Sequence, residues 1–292
     1  MAYIKIKKMD MKDLILFGDC RKTIPTITEP VKMCVTSPPY YGLRDYGGEE
    51  DQIGMEESPE KYVDQLVEVF RNVREVLTDD GTLWLNIGDS YYNYRSDGNY
   101  PKQTVSKTRQ DLPTKTPVRG NKLEGYKSKD LIGIPWLLAF ALRKDGWYLR
   151  QDIIWNKPNP MPESVKDRCT KSHEYIFLLS KSKNYYYDNE AIKEPTKEGE
   201  ATKNKRSVWT VNKKPYKGAH FATFPSELIE PCIKAGSQKG DIILDPFIGS
   251  GTTAMVAKSL GRHYIGCELH ESYNDLIQNR VSQYTINLED FV

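Results

Sequence analysis

Apolar residues in this chain come in short runs separated by polar and turn-forming stretches. "DLILFGDC" and "VKMCVTSPP" have strand length, and the second is ended by prolines that cannot donate to a ladder. "SPEKYVDQLVEVFRNVREVLTDDG" places apolar residues at helical spacing behind Ser58, an N-cap candidate, with Pro59 at the first helical position and a stop at Gly81. "GTLWLNIGD" reads as a strand, "DLIGIPWLLAFALRKDG" as a helix, and "WYLRQDIIWNKP" and "HEYIFLLSKS" as further strands. "PSELIEPCIKAGS" reads as a helix with Pro225 before a Ser226 N-cap. Residues 240–284 read as strand, Gly-rich turn, helix, strand, helix. Residues 90–130 and 189–217 lack periodicity and read as loops, and no internal repeat is visible. Strands alternating with helices predict one α/β domain over residues 1–292, helices flanking a mainly parallel mixed sheet.

The 292 residues suffice for a sizeable core. With 38% hydrophobic and 28% charged residues, that core must coexist with long polar excursions. No apolar run approaches the roughly 18 residues of a membrane helix, and the first residues lack the apolar stretch of a signal peptide. Five scattered cysteines without a CxxC pair are expected to be free thiols in the cytoplasm, with no metal site and no membrane partner. The net charge of +2 is unevenly spread: residues 90–130 and 193–217 each carry +5, which leaves −8 on the rest. Two basic islands on an acidic body suggest either a polyanion met at defined places or two solvated loops.

"IILDPFIGSGTT" follows a strand and opens a helix. Gly249 and Gly251 let a ligand approach the backbone, and the helix start offers free N–H groups. Glu268 stands 19 residues after Gly249 at the tip of the next strand, where a carboxylate can bind ribose hydroxyls. No Lys follows the last glycine, as a P-loop requires, and GxGxxG is absent. Asp245 would repel a pyrophosphate but suits an amine or sulfonium, so an adenosine with an amino-acid tail fits better than a dinucleotide.

"TSPPY" followed much later by "DPFIGSGTT" resembles the amino-group DNA methyltransferases that use S-adenosylmethionine. The order, catalytic motif first and cofactor loop last, is similar to their circularly permuted beta group, and the match covers most of the chain. The resemblance implies a Rossmann-like methyltransferase fold, double-stranded DNA as partner, and a cofactor site built from Asp245, Pro246, Phe247, Gly249, Ser250, Gly251, Thr252, Thr253 and Glu268. It also implies that Asp19 of "LFGDC" contacts the adenine, and that "HFATFP", with Thr223, Phe224 and Pro225, closes over the methionine tail. "GTLWLNIGD" and "IIWNKPN" resemble further sheet motifs; the insertion at 90–130 departs from other members.

The exocyclic nitrogen of a nucleobase is a poor nucleophile because its lone pair is delocalised into the ring. Methyl transfer needs acceptors for its N–H groups and an in-line methyl. The Ser37 hydroxyl and the Pro38 carbonyl are two such acceptors, and Pro39 holds Pro38 extended so that its carbonyl has a fixed aim. Tyr40 offers a face for stacking a base flipped out of the duplex. Tyr41, Arg44 and Tyr46 either line that pocket or phosphate path, or pack as a surface loop. His173 and His220 are expected in packing roles, since transfer from a sulfonium needs no strong general base. By resemblance, Ser at position 37 favours cytosine N4, with adenine N6 as the alternative. Residues 181–217 fall where the family places target recognition; Asn204, Arg206 and Asn212 are base-contact candidates, and Lys203, Lys205, Lys213 and Lys214 phosphate-contact candidates. The insertion at 90–130 is a second recognition candidate. A non-catalytic DNA-binding subunit and an RNA methyltransferase on the same scaffold stay open, as does a cognate restriction endonuclease as partner.

Overall fold

A computed structural model describes residues 11–42, 52–92, 123–197, 199, 201–213 and 224–289, with side chains as far as residue 282. The candidates Arg44, Lys214 and Thr223, together with Tyr46, His220 and residues 93–122 of the insertion, lie outside them. The strands β1 (Leu14–Phe17), β2 (Val31–Thr36), β3 (Leu77–Ile87), β4 (Tyr148–Asn156), β5 (His173–Ser180), β8 (Val208–Thr210), β9 (Ile242–Asp245) and β10 (His263–Glu268) form one sheet in the order β1-β10-β9-β2-β3-β5-β4-β8. A separate two-residue pair joins β6 (Glu194–Pro195) to β7 (Thr202–Lys203). Every neighbouring pair in the large sheet is parallel except those of β5, which runs against β3 and β4. From β9 the chain crosses to β10, and β1, from near the start of the described chain, lies beyond it at one edge. From β2 it winds through β3 to the other. The reversal falls between β9 and β2, and a cleft opens there at the carboxyl ends of the strands.

Helices α1 (Cys20–Thr23), α2 (Pro59–Val76) and α3 (Ile134–Lys144) cover one face, and α4 (Ser226–Gly236), α5 (Thr252–Ser259) and α6 (Asn274–Glu289) the other. Alternation along the strands feeds both cores: Cys34, Leu83 and Leu85 point to the first, Met33, Val35 and Trp84 to the second. The α2 stripe of Tyr62, Leu66, Val69, Phe70 and Val73 is buried, each apolar side chain contributing about 1.5–3 kcal/mol. Ser58 caps α2 as expected, its Oγ accepting from the Lys61 N–H at 3.3 Å.

Several boundaries differ from the sequence expectation. Helix α2 stops at Val76, not at Gly81, because Leu77 already pairs with Val31 in the sheet. Gly81 sits where the β2–β3 register shifts, and a Cβ there would meet Thr78 O at 2.9 Å and Lys32 O at 3.1 Å. Ser226 is the first residue of α4; the N-cap is Pro225, with no side-chain cap bond. The predicted loop 189–217 contains β6, β7 and β8, too short to show a period, and β8 adds an edge strand beside β4. The base of the 90–130 insertion is also ordered. Tyr92 N–H donates to Asp130 O and Lys129 N–H to Tyr92 O, both at 2.8 Å, so the insertion leaves the sheet through a closed neck beyond β3.

Candidate functional site

The cleft is a partly enclosed space lined by residues that follow β1, β2, β9 and β10. Two turns form its walls. Ser37, Pro38, Pro39 and Tyr40 leave the end of β2, and Pro246, Phe247, Gly249 and Ser250 leave the end of β9. Asp245 ties them together. Its Oδ1 accepts from Thr36 Oγ1 at 2.5 Å and Phe247 N–H at 3.0 Å, and its Oδ2 from Thr253 Oγ1 at 2.6 Å. Thr36 precedes Ser37 directly, so the two motifs, more than 200 residues apart in sequence, share one carboxylate. Gly249 and Gly251 have φ of 52° and 80°, the left-handed region that the turn into α5 requires.

Glu268 closes the same wall. Its Oε2 accepts from the Gly249 N–H and its Oε1 from the His270 N–H, each at 3.1 Å. Asp245 is 2% and Glu268 9% exposed, and neither has a Lys, Arg or His ion-pair partner among the described residues. Burial raises Asp245 to about 6 and Glu268 to about 7, against the lowering effect of their hydroxyl and backbone donors. Two desolvated carboxylates without a protein cation suit a ligand that is cationic at one end and carries hydroxyls. Asp19 lines the next wall, capping α1 through the Arg21 N–H at 2.9 Å and pairing with the Arg21 guanidinium at 2.9 Å.

Of the cofactor residues expected from sequence, Asp19, Phe224, Asp245, Pro246, Phe247, Gly249, Ser250, Thr252 and Glu268 line the cleft. Thr253 acts through Asp245, while Gly251 and Pro225 cap α5 and α4 behind the lining. Sequence reasoning missed Gln52, Ile53, His270 and Tyr273, which also line it. His270 and Tyr273 lie directly beyond Glu268, and proximity to that strand end was a usable signal. Gln52 and Ile53 carried none.

On the Tyr40 side the phenol donates to Glu174 Oε2 at 2.7 Å, and the Tyr62 hydroxyl donates to Pro39 O at 2.8 Å. Tyr41 is buried against Tyr62, ring centroids 5.6 Å apart, so it packs in the core and does not face the cleft. His173 packs edge-on against Tyr175, ring centroids 5.5 Å apart. The basic segment is divided by β8. Lys213, with its backbone bonded to the Asn159 amide at 2.9 and 3.0 Å, follows β8 with Asn212 and reaches the carboxyl end of the sheet. Lys203, Asn204, Lys205 and Arg206 precede β8. There Glu194 holds Arg206 at 2.5 Å and Lys203 at 3.7 Å, and Lys205 lies over the Trp209 ring at 5.0 Å.

A family model described as DNA methylase, of the N6/N4 methyltransferases, matches residues 31–279. The Type II methyltransferase M.Cfr9I of Citrobacter freundii is 53% identical, over 88% of this chain and 83% of its own. M.SmaI of Serratia marcescens is 51% identical, over 91% of this chain and 90% of its own. Among solved structures, the cytosine-N4-specific PvuII DNA methyltransferase superposes with a TM-score of 0.65 at 18% identity, covering 93% of this chain and 89% of that one. A putative DNA modification methylase from Thermus thermophilus, solved with S-adenosyl-L-methionine, gives 0.62 at 24% identity and 93% coverage of both chains.

Proposed function

The chain belongs to the N6/N4 DNA methylase family, and we propose that it transfers a methyl group from S-adenosylmethionine to the N4 amino group of cytosine in a specific duplex sequence. The observation that carries this reading is the Thr36–Asp245 bond, which puts the Ser-Pro-Pro-Tyr turn and the Gly-rich turn on one cleft. The cofactor supplies an electrophilic methyl on a sulfonium. Glu268, which keeps lone pairs free on both oxygens, would hold the ribose hydroxyls. Asp19 would face the adenine, and Phe224 the methionine tail. The buried charge of Asp245 favours a cation beside it.

For the target, the Ser37 hydroxyl and Pro38 carbonyl would accept the two amino N–H bonds and draw the nitrogen toward its lone-pair-bearing form. The Pro39 carbonyl accepts from Tyr62, and the Pro38 carbonyl would be the one offered to the base. Tyr40 would stack on the base once it is flipped out. Ser37 supports cytosine by resemblance, and the same fold carries cytosine-N4 chemistry in the PvuII enzyme. Asn212 and Lys213, at the rim, are the first candidates for DNA contact; Lys203, Asn204, Lys205 and Arg206 would follow on a longer duplex. A companion endonuclease of the same specificity fits a chain whose relatives are Type II methyltransferases.

The test is expression in a methylation-free bacterial host followed by single-molecule kinetic sequencing of the DNA. N4-methylcytosine at one short motif is expected. An N6-methyladenine signature would overturn the reading of Ser37, and unmodified DNA would overturn the enzyme reading.

A further inference from the structure

Behind Tyr40 lies a chain of contacts that neither turn contains. Glu174 accepts the Tyr40 phenol on Oε2, while its Oε1 meets the Lys157 ammonium. The Asn86 amide donates to Tyr175 O at 3.0 Å and to Glu174 Oε2 at 3.4 Å. Gly88 completes the enclosure: a Cβ there would lie 2.7 Å from Tyr40 Cε2 and 3.3 Å from Glu174 Cδ.

The Lys157 and Glu174 side chains are only 11% and 16% exposed. Burying two ions costs several kcal/mol apiece before their attraction is counted, and an apolar pair of the same volume is often as stable. Burial accordingly lowers the Lys157 pKa against the raising effect of Glu174. Stability alone therefore gives a weak account of this pair. Its geometry gives a stronger one. A tyrosine ring turns about two torsions, and anchoring its hydroxyl at a fixed carboxylate while Gly88 packs against its edge leaves one ring plane.

We propose that Glu174, held by Lys157 and Asn86, is a positioning residue that sets the plane of the Tyr40 ring for the extruded base. The inference rests on the reading of Tyr40 as the stacking face. A base displaced by about 1 Å from the methyl can lose on the order of 10²-fold in rate.

The test uses the full chain, its methylated motif in a duplex oligonucleotide, and 2-aminopurine at the target base. Glu174→Ala should slow single-turnover transfer on the order of 10²-fold, leave the cofactor Kd unchanged, and raise the 2-aminopurine emission because the extruded base stacks less. Glu174→Gln, which still offers Tyr40 an acceptor, should recover part of the rate. In a Tyr40→Phe background Glu174→Ala should add little, since the bond it removes is already gone. If the unpaired Lys157 unfolds the single variant, Lys157→Met with Glu174→Ala removes both charges and is read the same way. Wild-type transfer by Glu174→Ala overturns the inference, and so does a loss that persists in full on top of Tyr40→Phe. Wild-type protein that leaves all DNA unmodified overturns the enzyme reading instead, which separates the two failures.

Discussion

On the cofactor side of the cleft the bonds are mostly local: Glu268 is held by Gly249 and His270, and Asp245 by Thr253 and Phe247, all within 19 residues. On the target side Tyr40 reaches Glu174 across 134 residues, Asn86 reaches Glu174 across 88, and Pro39 meets Tyr62 across 23. One side is a strand–turn–helix–strand unit that builds its own site. The other is assembled from β2, β3, β4 and β5 only when the whole sheet is in register. Cofactor affinity should therefore depend on residues near the Gly-rich turn, and transfer rate on residues scattered through the chain.

The sharpest separation of the two sides is Ser37→Ala. On the proposed reading it would remove one of two acceptors for the amino group and nothing from the cofactor wall. Single-turnover transfer is expected to fall on the order of 10²–10³-fold with the cofactor Kd unchanged by calorimetry. Equal turnover would discard the two-acceptor account. Gly88→Ala tests the same side from a residue that touches no substrate. Its methyl group would overlap Tyr40 Cε2, so the ring must shift, and a loss approaching 10²-fold in transfer is expected with intact cofactor binding. A normal rate would show that the ring plane is unimportant.

Asp245→Asn should break the division, because Asp245 bonds both turns. It would lower the charge beside the proposed cofactor position and weaken the bond to Thr36. A hydrogen bond to a charged group contributes about 1.5–3 kcal/mol, so the cofactor Kd should rise ten- to a hundred-fold, and transfer at saturating cofactor should fall too. If only one of the two quantities moves, the Thr36–Asp245 bond does not couple the turns.

The same contrast explains what the sequence disclosed. The Gly-rich turn, Asp245 and Glu268 were legible because their spacing along one stretch of chain is their geometry. The Ser-Pro-Pro-Tyr turn was legible because its proline stiffness is local and its motif resembles a family's. Glu174, Lys157 and Gly88 read as ordinary strand-end residues, since a contact between them and Tyr40 exists only after β3 and β5 pair. Pro59 and Ser58 announced the start of α2, but its end at Val76 was set by pairing of Leu77 with Val31, which no local signal records. Strand β8 hid in a basic loop because three residues cannot display a period of two.

The smallest expected effect is in pH, and it bears on the cofactor side alone. Burial raises Asp245 from 3.8 to about 6 and Glu268 from 4.5 to about 7. With folded values above unfolded ones, these two groups stabilise the free protein fully below about pH 4, and that contribution is lost as pH rises through 6 and 7. A cationic ligand prefers the ionised carboxylates, so its affinity has the opposite slope. The cofactor Kd should tighten several-fold from about pH 5.5 to about 8 and level off above Glu268's value, and the thermal shift it produces should grow over the same range. Glu268→Gln should remove the upper part of that rise, leaving the part below about pH 6.5 to Asp245. A Kd that stays flat in the wild-type protein would mean that neither carboxylate faces the cofactor's charge, and that the locally built wall serves to hold the turn alone.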